Sequence, residues 1–228
     1  DVYKRQVFIE PEGTNDKGFA MTSSFSCMLL TSLLIFDDRD DKKELVNELA
    51  NTADKILEDA DKIEDLVNFD FDRIIYLGSG PLYKLSNEAR LKVLELTAGD
   101  VASLYESSMG FRHGPKSFVN DKTLIVSFIS SNEYTRDYDL DILHETAADK
   151  IAPKLIAVAN TDIEGDFEKL VYENNVDNDA YLALPYVVIA QLISLITSLR
   201  VGNTPDNPSK TGTVNRVVKG VTIHDYNA

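Results

Sequence analysis

Cysteine occurs once in the 228 residues, at Cys27, and histidine only three times. A lone thiol excludes an internal disulfide, and nothing points to an oxidising compartment. The expected setting is therefore intracellular, in the cytoplasm, with Cys27 a small core residue on an apolar helix. Scattered histidines beside a single cysteine offer no ligand spacing, so no metal site is expected. Basic residues are also scarce: 23 Lys and Arg stand against 38 Asp and Glu, a net charge of −15. That balance argues against nucleic acid or an anionic membrane as partner, since both want a basic face. A small anion stays open, because backbone N–H groups and hydroxyls suffice to hold one.

Other absences narrow the reading further. The turn "GSGP" at 78–81 lacks the Lys-Ser/Thr of a P-loop and the third glycine of a dinucleotide fingerprint, so no nucleotide cofactor is implied. Repeats of solenoid period and low-complexity tracts are missing. One apolar stretch, 182–199, approaches spanning length, yet it contains Pro185 and Gln191. A helix buried inside a globular protein is the expectation there. No secretory signal opens the chain and no initiator Met is present; residues 1–6, "DVYKRQ", read as a non-native leader. The expected chain thus starts inside a longer protein.

What is present alternates. Continuous apolar runs at 73–80, 101–107, 123–130 and 154–160, with a short one at 169–174, read as strands. Helical patterns at 86–98, 134–150 and 182–199 lie between and after them. Such alternation predicts an α/β fold, a three-layer sandwich with a parallel sheet covered on both faces, and ligands beyond the carboxyl ends of the strands. Ahead of this block, "AMTSSFSCMLLTSLLIF" reads as a loop of small hydroxyl residues capping a buried helix. The acidic stretch 37–72 carries Leu49, Ala53, Ile56, Ala60, Ile63 and Val67 at helical spacing, and is read as a helical connector between two domains.

Four features could carry chemistry, and each has a plain alternative. Gly78 and Ser79 lie in a strand-to-helix turn, either a tight turn that only glycine tolerates or backbone turned to a ligand. Glu88 and Glu95, seven residues apart, project from one helical face about 10 Å apart along the axis; alone they would be two solvated glutamates. His113 sits in "MGFRHGPKS", at a turn that Gly-Pro bars from regular helix. Lys219, in "VNRVVKGVTIHDY", would pass for a surface lysine.

Together the blocks "YLGSGPLYKLSNEARLKVLEL", "ESSMGFRHGP" and "NTPDNPSKTGTVNRVVKGVTIHDY" resemble the sugar isomerase (SIS) family. The likeness is to the branch of galactosamine-6-phosphate deaminases and tagatose-6-phosphate ketose/aldose isomerases. It implies tandem SIS domains, each a flavodoxin-like five-stranded parallel sheet flanked by helices. Residues 7–36 would close a first domain, 37–72 connect, and 73–228 form a complete second domain with a C-terminal tail. The isomerase half of glucosamine-6-phosphate synthase is similar, and it implies the roles. Glu95 would be the base moving a proton between C1 and C2, with Glu88 a supporting carboxylate. His113 would open the sugar ring from a neighbouring subunit, and Lys219 would reach the open-chain ketose as an amine. Thr22, Ser23 and Ser24 would form the surviving part of a phosphate cradle. Gly78, Ser79 and Arg112 complete the candidate substrate-binding set.

The residue types suit this chemistry. Aldose–ketose interconversion, or loss of ammonia from C2, needs one carboxylate that lifts a proton and returns it to the next carbon. Ring opening needs an acid–base group near neutrality, and histidine is suited to that. The phosphate is a remote handle that positions the reacting carbons. The resemblance thus implies a hexosamine or ketohexose 6-phosphate as substrate, no cofactor, and a homodimer or higher homo-oligomer. The rival from another class is a non-catalytic SIS module that senses sugar phosphates. Retention of Glu95, His113 and Lys219 argues against it, because sensing needs no proton shuttle.

Overall fold

A computed structural model describes residues 7–217 and 219–225; the expected leader, 1–6, lies outside them. Strand β1 (Arg73–Gly78) is followed by helix α4 (Pro81–Leu96), after three earlier helices, α1 (Ser23–Phe36), α2 (Lys42–Glu58) and α3 (Ala60–Val67). Then come β2 (Ala102–Ser107), the single turn α5 (Ser108–Phe111), a 3-10 turn at Pro115–Phe118, and β3 (Thr123–Phe128). The chain ends with α6 (Glu133–Asp149), β4 (Lys154–Ala159), β5 (Glu168–Val171), α7 (Asp179–Arg200) and an irregular tail. All strands pair in parallel, in the order β2-β1-β3-β4-β5. This is the expected flavodoxin-like arrangement.

Alternation along the strands explains why both faces need cover. Ile74 and Tyr76 point into one core with α2, α3, α4 and α7, whereas Ile75 and Leu77 point into a second core with α5 and α6. Buried on both sides, β1 and β3 need continuous apolar sequence. Helix α4 starts five residues before the expected 86. Gly80, at φ 53, turns the chain and Pro81 supplies a pre-set first helical residue. The stripe at Leu49, Ile56, Ile63 and Val67 is real and lies in the same core as α7.

Helix α7 is long and apolar enough to cross a membrane, but most of it is buried within the protein. The expectation of a buried helix near the N-terminus does not hold for α1. None of its residues is buried, Phe36 is 90% exposed, and Cys27 is only half-buried. An apolar helix needs a neighbour on every side to be core, and α1 packs only along one side, on α7 and its surroundings.

Candidate active site

Helix α4 assembles the most informative group. Lys92 lies four residues after Glu88 and three before Glu95, so all three share one helical face. Its Nζ is 3.2 Å from Glu88 Oε1 and 2.9 Å from Glu95 Oε2. The ammonium is buried, and burial opposes its charge. The two carboxylates outweigh that and raise the lysine above its ordinary value. The Glu-x3-Lys-x2-Glu spacing of this group is already present in the sequence. The side chains are graded: Lys92 is 6% exposed, Glu88 17% and Glu95 29%. Glu95 is therefore the acid that a ligand can reach.

Two cavities flank this triplet. One, of about 500 Å³, is lined by Glu95, Phe19, Asp100 and the tail segment Pro208–Thr211. The other, of about 270 Å³, is lined by Lys92, Asp16, Thr22, Gln191 and again Phe19. The first is large enough for a phosphorylated hexose. The tail thus walls the Glu95 cavity through Pro208–Thr211, while Lys219, further along, is exposed.

The loop before α1 brings Thr22 to Lys92, but its donors are already engaged. Asp16 Oδ2 accepts from the Thr22 N–H at 3.0 Å, the Ser24 N–H at 3.0 Å and the Ser24 hydroxyl at 2.5 Å. Asp16 Oδ1 accepts from the Thr22 hydroxyl at 2.6 Å and the Ser23 N–H at 2.9 Å. Burial pushes the Asp16 acid up, yet these hydrogen bonds prevail and hold it well below the usual carboxylate range. In the structure the hydrogen-bond donors of Thr22–Ser24 hold a carboxylate of the same chain. Asp16 was missed because its partners lie six to eight residues on, outside any capping pattern.

The Gly turn serves packing. A Cβ on Gly78 would lie 2.7 Å from the Leu82 carbonyl, so close approach of α4 to β1 demands glycine there. Ser79 donates to Asp139 Oδ1 at 2.5 Å. Asp139 is fully buried and also accepts from the Ser108 hydroxyl and, at 3.0 Å, from the Ser130 N–H. Burial raises its acid despite those bonds. This carboxylate ties the carboxyl ends of β1, β2 and β3 together, and the sequence offers no signal for it.

His113 stands apart from the triplet. It is exposed, in the turn after α5, whose neighbours Phe111 and Phe118 pack into the second core. Glu95 lies on α4, over the first core. The sheet separates them, and one chain does not bring them together. Arg112 beside it is held by Glu145, at 2.8 Å. Among the described residues no group of His, Cys, Asp and Glu is arranged to hold a metal ion.

No protein-family model matches the chain. The D-galactosamine-6-phosphate deaminase AgaS of Escherichia coli is 44% identical over 97% of this chain and 59% of its own length. A solved structure ascribed to a tagatose-6-phosphate ketose/aldose isomerase of Clostridium novyi is 41% identical, with a TM-score of 0.91 over 98% of this chain and 60% of that one. The tagatose-6-phosphate ketose/aldose isomerase structure from Escherichia coli is 39% identical, with a TM-score of 0.85 over 96% and 57%. The chain spans about 60% of the length of the curated relatives it matches. Its parallel five-stranded sheet and this likeness agree: the chain belongs to the sugar isomerase (SIS) family and is similar, over nearly its whole length, to part of these deaminases and ketose/aldose isomerases.

Proposed function

We propose that this chain is part of a sugar-phosphate isomerase/deaminase. It would convert galactosamine 6-phosphate and water to tagatose 6-phosphate and ammonia, or carry out the related ketose–aldose isomerisation. The observation that carries this reading is Glu95, held on Lys92 at the wall of a cavity of about 500 Å³. After ring opening, Glu95 removes the proton from C2 of the aldehyde form and delivers it to C1. The C2 imine that results is hydrolysed, releasing ammonia. Lys92 fixes the carboxylate without competing for substrate, because it is buried. Glu88 holds the other side of the ammonium.

His113 is assigned to ring opening and Lys219 to contact with the open-chain sugar. Because the sheet separates His113 from Glu95, the histidine that serves a site comes from a second copy of the chain. This supports a homodimer or higher oligomer. Residues 7–36 are assigned to the end of a first domain, 37–72 to a connector and 73–228 to a second domain. The unburied apolar helix α1 and the greater length of the relatives support that division. Most of the phosphate cradle would then lie upstream of residue 1, with Thr22–Ser24 at its border. The proposed setting is the cytoplasm.

Isothermal calorimetry with galactosamine 6-phosphate tests the division. The 228-residue chain is expected to bind weakly, and a chain extended upstream to the relatives' length to bind well; equal affinities would overturn it. Ammonia release by the extended protein tests the reaction. No turnover of any hexosamine or ketohexose phosphate would favour a sensor instead.

A further inference from the structure

The turn that carries His113 is gripped from one side by α6. Glu145 is forked: Oε2 lies 2.8 Å from Arg112 Nε, and Oε1 lies 2.5 Å from Lys116 Nζ. Those two cations stand one residue before and three residues after His113. Lys116 Nζ also lies 2.5 Å from Asp149 Oδ2, one helical turn further along α6. Upstream, Ser108, the first residue of α5, donates to the buried Asp139 of α6.

The backbone between these anchors is closed by its own hydrogen bonds. The His113 N–H donates to the Gly110 carbonyl at 3.0 Å, and the Ser117 N–H and hydroxyl donate to the Gly114 carbonyl at 2.9 and 2.6 Å. Gly114, at φ 138, takes a conformation that side-chain-bearing residues avoid, and Pro115 locks the next φ. The result is a backbone fixed at both flanks whose imidazole is exposed.

We propose that Glu145 is the positioning residue of this turn. Its carboxylate, shared between Arg112 and Lys116, sets the direction in which the His113 imidazole leaves the surface, and it affects the reaction only through His113. Arg112 then serves the turn and not the substrate. The inference rests on the reading of His113 as the ring-opening group. It concerns function more than folding, because Glu145 is 40% exposed and exposed ion pairs contribute little to stability.

The test uses the full-length protein with galactosamine 6-phosphate. Glu145→Gln is expected to lower kcat for ammonia release by about 10- to 100-fold, since misplacing a catalytic group by about 1 Å costs on that order, with KM changed less than about twofold. Glu145→Asp is expected to restore part of the loss. In a His113→Ala background, Glu145→Gln is expected to cost less than about a further twofold, because the two changes then remove one function. Hydrogen exchange at the amides of His113, Ser117 and Val119 is expected to quicken about tenfold in Glu145→Gln, with the amides of α4 unchanged. The proposal is overturned by an unchanged kcat, by an equal loss in both backgrounds, or by unchanged exchange in the turn. Absence of turnover in the unaltered protein would defeat the functional reading alone; exchange would then decide the clamp by itself.

Discussion

The two faces of the sheet carry ion clusters of different make-up. On the α4 face one buried cation, Lys92, lies between two acids. On the α6 face one half-exposed acid, Glu145, lies between two cations. The first triplet keeps a surplus negative charge beside a cavity, which suits a group that must take up a proton. The second, in which Lys116 also reaches Asp149, balances two acids with two cations beside the His113 turn. In the proposed reaction the first cluster would serve the chemistry and the second the presentation of His113.

Changes on each side should separate these roles. Glu95→Gln keeps the shape of the α4 triplet and removes its proton acceptor. Ammonia release in the full-length protein is expected to fall by about 10² to 10⁴-fold, with substrate affinity by calorimetry retained; a smaller loss would move the base elsewhere. Lys92→Met leaves two partly buried acids facing each other without their cation. A loss of about 2–3 kcal/mol in urea unfolding is expected. Arg112→Met and Lys116→Met leave Glu145 with its other cation at a half-exposed site, and each is expected to cost less than about 1 kcal/mol. Equal losses on the two faces would show that burial does not distinguish the triplets.

A smaller effect tests the carboxylate at the head of α1. Asp16 is held below its ordinary value of 3.8 by the hydroxyl and N–H donors of Ser24, Thr22 and Ser23, against the upward push of burial. A carboxylate depressed in the folded state contributes stability that is present above the ordinary value and lost as pH falls through the folded one. Asp16→Asn is therefore expected to lose about 1 kcal/mol at pH 7, on the order of one lost hydrogen bond. That deficit should shrink as the pH falls below the ordinary value of 3.8. Thermal melts of wild type and variant across this range read the difference directly; a deficit independent of pH would show that the carboxylate's charge has no part in it.

Much of the fold was legible in the sequence because β1, β3 and β4 are buried on both faces, which forces uninterrupted apolar runs such as Ile74–Leu77 and Leu124–Val126. The start of α4 was misjudged because "SGPLY" reads as a turn until Gly80 and Pro81 are recognised as a helix entry. The burial of α1 is not legible for a different reason: an apolar composition does not say how many neighbours a helix has. In the site, Glu88 and Glu95 could be paired by spacing, and Lys92 between them by the same logic. Asp139 could not be found that way, since its partners Ser79 and Ser108 lie 60 and 31 residues away. Nor could Glu145, 29 and 33 residues from Lys116 and Arg112.

The sequence by itself determined the alternation of strands and helices, the shared face of Glu88, Lys92 and Glu95, and the rigid turn at His113-Gly114-Pro115. Each follows from local geometry, because helical and strand periods and the restrictions on glycine and proline act over a few residues. Only the tertiary structure decided that Asp16 occupies the Thr22–Ser24 donors, that Glu145 holds both flanks of the His113 turn, and that the sheet divides His113 from Glu95. Those outcomes depend on which distant groups the folded sheet and its two helical layers bring within hydrogen-bonding reach, and chain-local patterns carry no record of that.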